Sequence, residues 1–534
     1  MRFPLAVLAV LCGLVVISGI GTSSFLDARE ARDAQVAREV AASREVLTPL
    51  YGTEAWLEKP ILAYGPDATI RVLSHAPERD SRTFRAIVAI LLVLVTGSAG
   101  ALHFGAPAGW FSALVLVTTA VLPLATRADG TQLLGTLLGW LGLTTLAGAV
   151  FDPHRGRATR LTLGYSALGL TLVTAGPLPA LWPLGGLALY AALARRREIW
   201  ARAQPLAGAV LMLGMAIPWY GFMIERYGGA FLAHVPFFPY AAEPRGAWIA
   251  GALAIVSFLV MGLFPWSTLL PGAMLHAATF WRRGGALPDL ERERESREEN
   301  AAHFFLAGLV ASLAPIVFYP TPPLSAVLPA APAAALLCGR MLAHAWEDVE
   351  RVAAPIGRAV VMLALVGTLT AVLIALTARF ARPAAPELRL LATIVFVTAW
   401  LPLLARLSGR RLLAALLFAA PVAIGAPIAH LRLLPALETF LSAAPVARAM
   451  ESVAPPLAPL VLLESPPPSL RLYGEHPLVV AASLPSALRS ERASDRHTYL
   501  AFRPAREHEV ARAVAVPLEI LLRTPVLILA RVRV

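Results

Sequence analysis

Lysine is almost absent from this sequence. Of 46 basic residues 45 are arginine, and the single lysine is Lys59. A chain that has taken arginine at every other cationic position keeps lysine where a compact ammonium serves better than a planar guanidinium; an unreplaced remnant is the plain alternative. Cysteine is nearly as scarce: Cys12 and Cys338 lie far apart, each inside an apolar run. That excludes a disulfide framework and a cysteine-based metal site. Charge is scarce as well, 15% of residues against 57% hydrophobic, with a mean hydropathy of +0.66. A soluble domain of 534 residues needs far more charge to cover its surface. The net charge of +12 forms no nucleic-acid-binding face, because the arginines sit in short loops between apolar runs.

Those runs carry the fold. Stretches near 4–21, 84–105, 110–126, 131–150, 160–177, 178–194, 206–224, 247–271, 301–319, 324–342, 357–378, 389–405 and 411–430 predict an all-α polytopic membrane protein with about thirteen transmembrane helices. Arginine clusters at 155–160, 195–197, 282–283, 340–358 and 406–411 fall on one side if Arg2 is also there. The positive-inside rule makes that side, with the N-terminus, cytoplasmic. Residues 1–21 have features of a cleaved signal peptide, but an uncleaved anchor keeps the charge pattern consistent for every later loop. The expected organisation is a transmembrane domain over 1–430, with 22–83 as its first periplasmic loop. After it comes a small extramembrane α/β domain over 431–534, also periplasmic. In this tail, apolar runs at Pro459–Leu463, Pro477–Ala481, Tyr499–Phe502 and Pro525–Val532 read as strands, and His508–Leu522 reads as helix.

Residues 22–83 are long and charged for a passive connection. Within them Asp27 to Val40 reads as an amphipathic helix, Val36 and Val40 sharing one face while Glu30, Arg32 and Asp33 crowd its start. A helical turn places Asp27 and Glu30 on one side of its N-terminal end, as catalytic acids or as capping acids in ordinary surface ion pairs. Farther on stands Trp56-Leu-Glu58-Lys59-Pro60-Ile-Leu-Ala-Tyr64, where a compact cation beside aromatic residues suits a lipid phosphate at the membrane surface.

Here the sequence resembles the membrane GT-C glycosyltransferases, which include lipid A aminoarabinose transferases and protein O-mannosyltransferases. Leu26-Asp27-Ala28-Arg29-Glu30 fits the family's acidic pair in its Asp-x-x-Glu spelling. Val36-Ala37-Arg38-Glu39-Val40, Pro49, Gly52 and Glu58-Lys59-Pro60 follow as in that family. Gly169 to Pro177, Ile217-Pro218-Trp219-Tyr220, Arg226-Tyr227-Gly228, Gly262-Leu-Phe-Pro265-Trp266 and the proline-rich 321–332 continue the likeness over 5–345. There are departures. The commoner Asp-Glu spelling puts Arg29 at the Asp position, and Ala175, Pro322 and Ala326 stand where relatives carry Lys, Lys and Tyr.

The resemblance implies a GT-C-like fold and a glycosyl transfer from a polyprenyl-phosphate donor to an outward-facing lipid, glycan or protein acceptor, within the inner membrane of a bacterium. Under it Asp27 is the base and Glu30 its alternate or partner, both near the ammonium. Lys59 holds the phosphate, with Arg32 and Arg226 as further phosphate ligands. Some relatives bind a divalent metal ion, for which Glu58 and His234 are candidates; a structural His234 is the simpler reading. Asp129 is an acid near a helix start, equally a plain cap, and Arg226 and Arg245 equally solvate their loop. The chemistry needs one base and charge stabilisation, with no nucleotide and no P-loop. Two rival readings remain. One is a degenerate, non-catalytic relative that binds lipid or a partner. The other is a transporter, which the near absence of ionisable residues in the spans disfavours.

Overall fold

The computed structural model describes the chain apart from residues 1, 28, 44–46, 53, 152–155, 196, 239–255, 280–288, 319–322, 349, 457, 482–496, 514–517 and 534. Among the described residues eight helices are long and apolar enough to cross a membrane. They number nine if Ala106–Val117 and Val121–Ala128, bent by 53°, form one span. The chain is a multi-span membrane protein. Such helices are apolar on all sides because their neighbours are other helices or lipid. The segment Leu324–Glu347 lies wholly inside the bundle, its alanine-rich surface letting neighbours approach closely.

The expected count of about thirteen is not confirmed. Arg157–Thr174 is helical, but two arginines and several threonines make it less apolar. Asp289–Phe318 spends its first half on charged residues. The run expected at 247–271 is helical over 256–262 and then breaks at Phe264–Pro265 before a separate helix, Leu270–Thr279, because proline offers no backbone N–H to continue the ladder. The final span reaches Leu441 rather than 430.

The tail is a five-stranded sheet of β3 (Leu460–Leu462), β4 (Leu478–Val480), β5 (His497–Phe502), β6 (Leu518–Arg523) and β7 (Ile528–Arg533), in the order β4-β3-β5-β7-β6. A two-stranded hairpin in the first loop, Leu50–Tyr51 with Glu54–Ala55, supplies β1 and β2. In the tail β3 runs parallel to β4 and β5, and β7 is antiparallel to β5 and β6. Alternation gives the sheet two apolar faces. Val461, Leu500, Phe502, Ile528 and Ala530 pack on one side, and Leu460, Leu462, Tyr499, Ala501 and Leu529 on the other, against Val446, Met450 and Leu470. Of the helix expected over His508–Leu522, Glu507–Ala513 is helical and 514–517 lie outside the described residues. Its last residues, from Leu518, instead belong to β6, which pairs with β7. Short apolar runs read equally as helix or strand, and here the neighbouring strand decides.

The tail sits directly on the first loop. Arg38 donates to the carbonyls of Leu472 and Arg471, both at 2.9 Å, and the Phe25 N–H donates to the Tyr473 hydroxyl at 2.8 Å. The Arg471 guanidinium lies 5.3 Å from the Tyr51 ring centroid. Gly52 turns the hairpin with φ +63°, and a Cβ there would lie 2.5 Å from Arg471 Nη1, so only glycine admits that contact. Loop and tail therefore share one face of the helical bundle.

Candidate active site

The first loop folds around the helix Glu30–Ala42, whose first turn carries Glu30 and Asp33, where the helix dipole favours acids. Its face of Val36, Ala37 and Val40 packs on Tyr64 and Ala68, with Trp56 and Ile61 alongside. The helix is more enclosed than amphipathicity implied: Glu30, Asp33 and Gln35 are buried too. Buried carboxylates need cationic or hydrogen-bonding partners, and those of the loop find them in three groups.

The first group surrounds the lone lysine. Lys59 is fully buried, and its Nζ donates to Asp33 Oδ2 at 2.7 Å. Burial pulls the ammonium pKa down, but Asp33, Glu58 and Asp129 outweigh it and raise it above the ordinary lysine value. Asp33 Oδ1 is buried and accepts no hydrogen bond among the described residues. Beside this pair Glu58, also buried, accepts from Arg32 Nη2 at 3.0 Å and from Trp56 Nε1 at 3.1 Å. The Arg32 guanidinium stands 5.4 Å from the Trp56 ring centroid. Asp129 caps the helix Gly130–Phe151 by accepting from the Gln132 N–H at 3.0 Å; it also accepts from Ser325 Oγ at 2.9 Å and lies 3.7 Å from Arg29. Burial alone would raise its pKa, but Lys59, Arg29 and these hydrogen bonds bring it below the ordinary value. Tyr64, buried at the same place, is held well above the usual tyrosine range by burial, then by Asp33 and Glu58.

The second group is built on Glu30. Its carboxylate accepts from Arg82 Nε at 2.9 Å and Nη2 at 2.8 Å, from Arg85 Nη1 at 3.0 Å and from the Leu26 N–H at 3.0 Å. Arg85 also reaches Asp67 at 2.9 Å, and Arg82 donates to the carbonyls of Ser23 at 2.7 Å and Ser24 at 2.9 Å. The third group joins Asp27 to the tail. The Ser469 N–H donates to Oδ1 at 2.8 Å, while Ser469 Oγ at 2.7 Å and the Ala443 N–H at 3.2 Å donate to Oδ2. Burial pushes the Asp27 pKa up, against the lowering effect of these bonds.

The structure thus brings Lys59, Glu58, Arg32 and Asp129 together, and separates Asp27 from Glu30. The helix begins at Glu30, so no helical turn joins the two acids; one faces the tail and the other faces the long helix Pro77–Phe104. Asp33 is the carboxylate that meets Lys59. Arg226 is exposed near the rings of Phe222 and Tyr227. The His234 Nδ1–H donates to the Ala230 carbonyl at 2.7 Å. Among the described residues no three His, Cys, Asp or Glu side chains gather as a metal site, and the Glu58 oxygens are occupied by Arg32 and Trp56. Arg245 and Pro322 lie outside the described residues.

Two of the positions that depart from the family pattern, Ala175 and Ala326, are buried. Ala175 is fully buried and stands so close to Gly135 that a Cβ on the glycine would lie 2.6 Å from the alanine Cβ. Ala326 is buried next to Ser325, the Asp129 partner. Gly176, next to Ala175, has φ +97° and sits against Phe238.

Asp33, Arg82 and Arg85 went unassigned at the level of sequence. A signal was present for the arginines: two cations three apart at the start of an apolar helix lie on one side of it and call for buried acids. An apolar groove of about 410 Å³ runs beside this loop, lined by residues including Leu172, Leu181, Met212, Ile217, Tyr220 and Val235. Tyr220 also packs in the cluster of Trp219, Phe231 and Phe238 that includes Leu57 and Ile61, the residues on either side of Glu58–Lys59–Pro60. The Trp219 indole ties this cluster to the loop by donating to the Leu47 carbonyl at 3.0 Å.

No protein-family model matches the chain, and no curated protein matches it. Among solved structures it is similar to ArnT from Cupriavidus metallidurans, both in the apo state and bound to undecaprenyl phosphate. Each comparison has a TM-score of 0.74 at 18% identity and covers 99% of this chain and 97% of that one. The archaeal oligosaccharyltransferase AglB from Archaeoglobus fulgidus, in complex with an inhibitory peptide and a dolichol-phosphate, matches at a TM-score of 0.42 and 13% identity, over 65% of this chain and 52% of that one. That likeness is too low to carry an argument. The resemblance to the membrane GT-C glycosyltransferases holds at the level of the fold, along nearly the whole chain.

Proposed function

We propose that this protein, which has the fold of ArnT, is a glycosyltransferase that moves a sugar from a polyprenyl-phosphate donor to an outward-facing lipid, glycan or protein acceptor. The observation that carries the proposal is the enclosed cluster around the one lysine. A buried ammonium and the guanidinium of Arg32 lie in a loop whose apolar Leu57 and Ile61 pack with Tyr220, which also lines an apolar groove. A fold-mate solved with undecaprenyl phosphate supports the same ligand class here. In this reading the isoprenoid chain lies in the groove, and Lys59 with Arg32 takes the phosphate as it leaves the anomeric carbon. Charge developing on that phosphate is stabilised most where water is excluded. Asp27 and Glu30 hold the loop to the tail and to the long helix, because their oxygens are filled by those contacts. The Glu58 oxygens are likewise engaged, and no step is routed through a metal ion. Loop and tail face the periplasm of a bacterium, with the N-terminus in the cytoplasm.

The test is sugar transfer by the full chain in detergent or membranes, from polyprenyl-phosphate pentose and hexose donors, with Lys59→Gln and Lys59→Arg alongside. Transfer by wild type, lost in Lys59→Gln and strongly reduced in Lys59→Arg, upholds the reading; full activity of Lys59→Arg undoes the argument from the ammonium. The saturated contacts of Asp27 and Glu30, and Arg29 beside Asp129, favour one second reading: a non-catalytic protein that binds the lipid phosphate. Undecaprenyl phosphate bound without transfer from any donor supports that alternative, and absence of both binding and transfer removes both.

A further inference from the structure

Asp33 holds Lys59, yet it has an oxygen to spare. Its Oδ2 takes the ammonium at 2.7 Å while the buried Oδ1 has no hydrogen-bond partner among the described residues. A buried carboxylate normally fills both oxygens. Glu30 and Asp27 beside it do so, with four and three donors respectively. The side chain of Asp33 also keeps 9% exposure where Lys59 keeps none, so the acid is the more exposed member of the pair.

We propose that Asp33 is the resident counter-ion of Lys59 and the general base of the transfer, the first role ending when the second begins. The proposal rests on the glycosyltransferase reading for its second half only. A lipid phosphate brings its own negative charge to Lys59 and competes with Asp33 for the ammonium. Once the phosphate wins, Oδ2 loses its cation, and a carboxylate without a cation accepts a proton more readily. The acceptor hydroxyl then gives its proton to Asp33, its oxygen bonds to the anomeric carbon, and the bond from that carbon to the phosphate oxygen breaks, the electron pair leaving with the phosphate to Lys59. Atoms and charge balance without any co-reactant. The exchange also sets an order: the base is weak while Lys59 holds Oδ2 and strengthens once the donor is seated, so the acceptor reacts in a site that is already loaded.

The experiment compares wild type, Asp33→Asn, Asp33→Glu and Lys59→Gln as full-length protein in detergent. Binding of undecaprenyl phosphate is followed by tryptophan fluorescence, and transfer is measured on the donor that wild type uses. Removing the competing anion tightens undecaprenyl phosphate binding by roughly tenfold in Asp33→Asn, while turnover falls by about a hundredfold or more, the range of a lost general base. Asp33→Glu keeps wild-type binding, and its turnover drops at least tenfold because the longer carboxylate is misplaced. This variant carries the test should Asp33→Asn fail to fold, and unchanged turnover in it overturns the proposal. Asp33→Asn binding as poorly as Lys59→Gln makes the aspartate a mere prop for the lysine and overturns the proposal. Wild-type turnover in Asp33→Asn overturns the base role. Transfer absent from every protein, with Asp33→Asn still binding more tightly, sinks the glycosyltransferase reading and upholds the counter-ion exchange.

Discussion

Glu30→Gln tests whether the loop is held by charge or merely by packing. Glu30 is 2% exposed and receives four hydrogen bonds, three of them from the guanidinium groups of Arg82 and Arg85. Glutamine has nearly the same shape but one of its two terminal atoms cannot accept. Two of the four bonds are lost, and the amide hydrogens face guanidinium donors. At about 1.5–3 kcal/mol for each bond involving a charged group, the loss is about 3–6 kcal/mol. That matches the roughly 3–5 kcal/mol expected when one member of a buried ion pair is removed. Arg85 keeps Asp67 and Arg82 keeps the Ser23 and Ser24 carbonyls, which places the expected value toward the lower end. The assay is thermal unfolding in detergent followed by tryptophan fluorescence, at one scan rate because such unfolding is commonly irreversible. A clear drop in melting temperature is expected, with partial recovery in Glu30→Gln/Arg82→Gln, since the double variant removes the uncompensated cation. Melting that coincides with wild type would refute the view that this carboxylate organises the loop.

Three further outcomes follow from the geometry. Asp129 titrates below the ordinary carboxylate range in the folded state, so its stabilisation is complete above the unfolded value and is lost as pH falls through the folded one. Below about pH 4 wild type should lose thermal stability more steeply than Asp129→Asn, which starts lower but has no charge to lose; parallel acid profiles would count against the assignment. Gly176→Ala places a Cβ at φ +97° and 2.5 Å from Phe238, so a loss of at least ~1–3 kcal/mol should appear as a reduced yield of folded protein in size-exclusion chromatography. Arg38→Ala removes both guanidinium bonds to Leu472 and Arg471; limited proteolysis should then cut near Pro468–Tyr473 sooner than in wild type, with the transmembrane region still protected.

How much of this was legible beforehand depended on the distance over which each feature is decided. Apolar runs report on local burial, so the helical membrane architecture was readable from hydropathy; the span count was not, because Pro265 and the bend between Val117 and Val121 interrupt stretches that composition treats as continuous. Strands β3, β4, β5 and β7 stood out as apolar runs, whereas β6 owes its conformation to β7. In the candidate site, the rarity of lysine pointed to Lys59 and its neighbour Glu58. The partner of that lysine did not emerge. Asp33 lies 26 positions earlier, and only the packed loop shows which of several acids faces the amine. Asp27 stands near Glu30 in sequence, but its carboxylate meets Ala443 and Ser469, the latter 442 positions away, a pairing that no local pattern encodes.

That last contact sets a timetable for making the protein. The loop bearing Lys59 is translated well before the serine that anchors Asp27 and the carbonyls that receive Arg38, with the candidate spans from Pro77–Phe104 to Arg411–Leu441 made in between. The early loop must wait, exposed and incompletely bonded, until the end of the chain arrives to close over it. A nascent chain arrested before residue 468 would insert its helices and still lack the contacts that close the first loop.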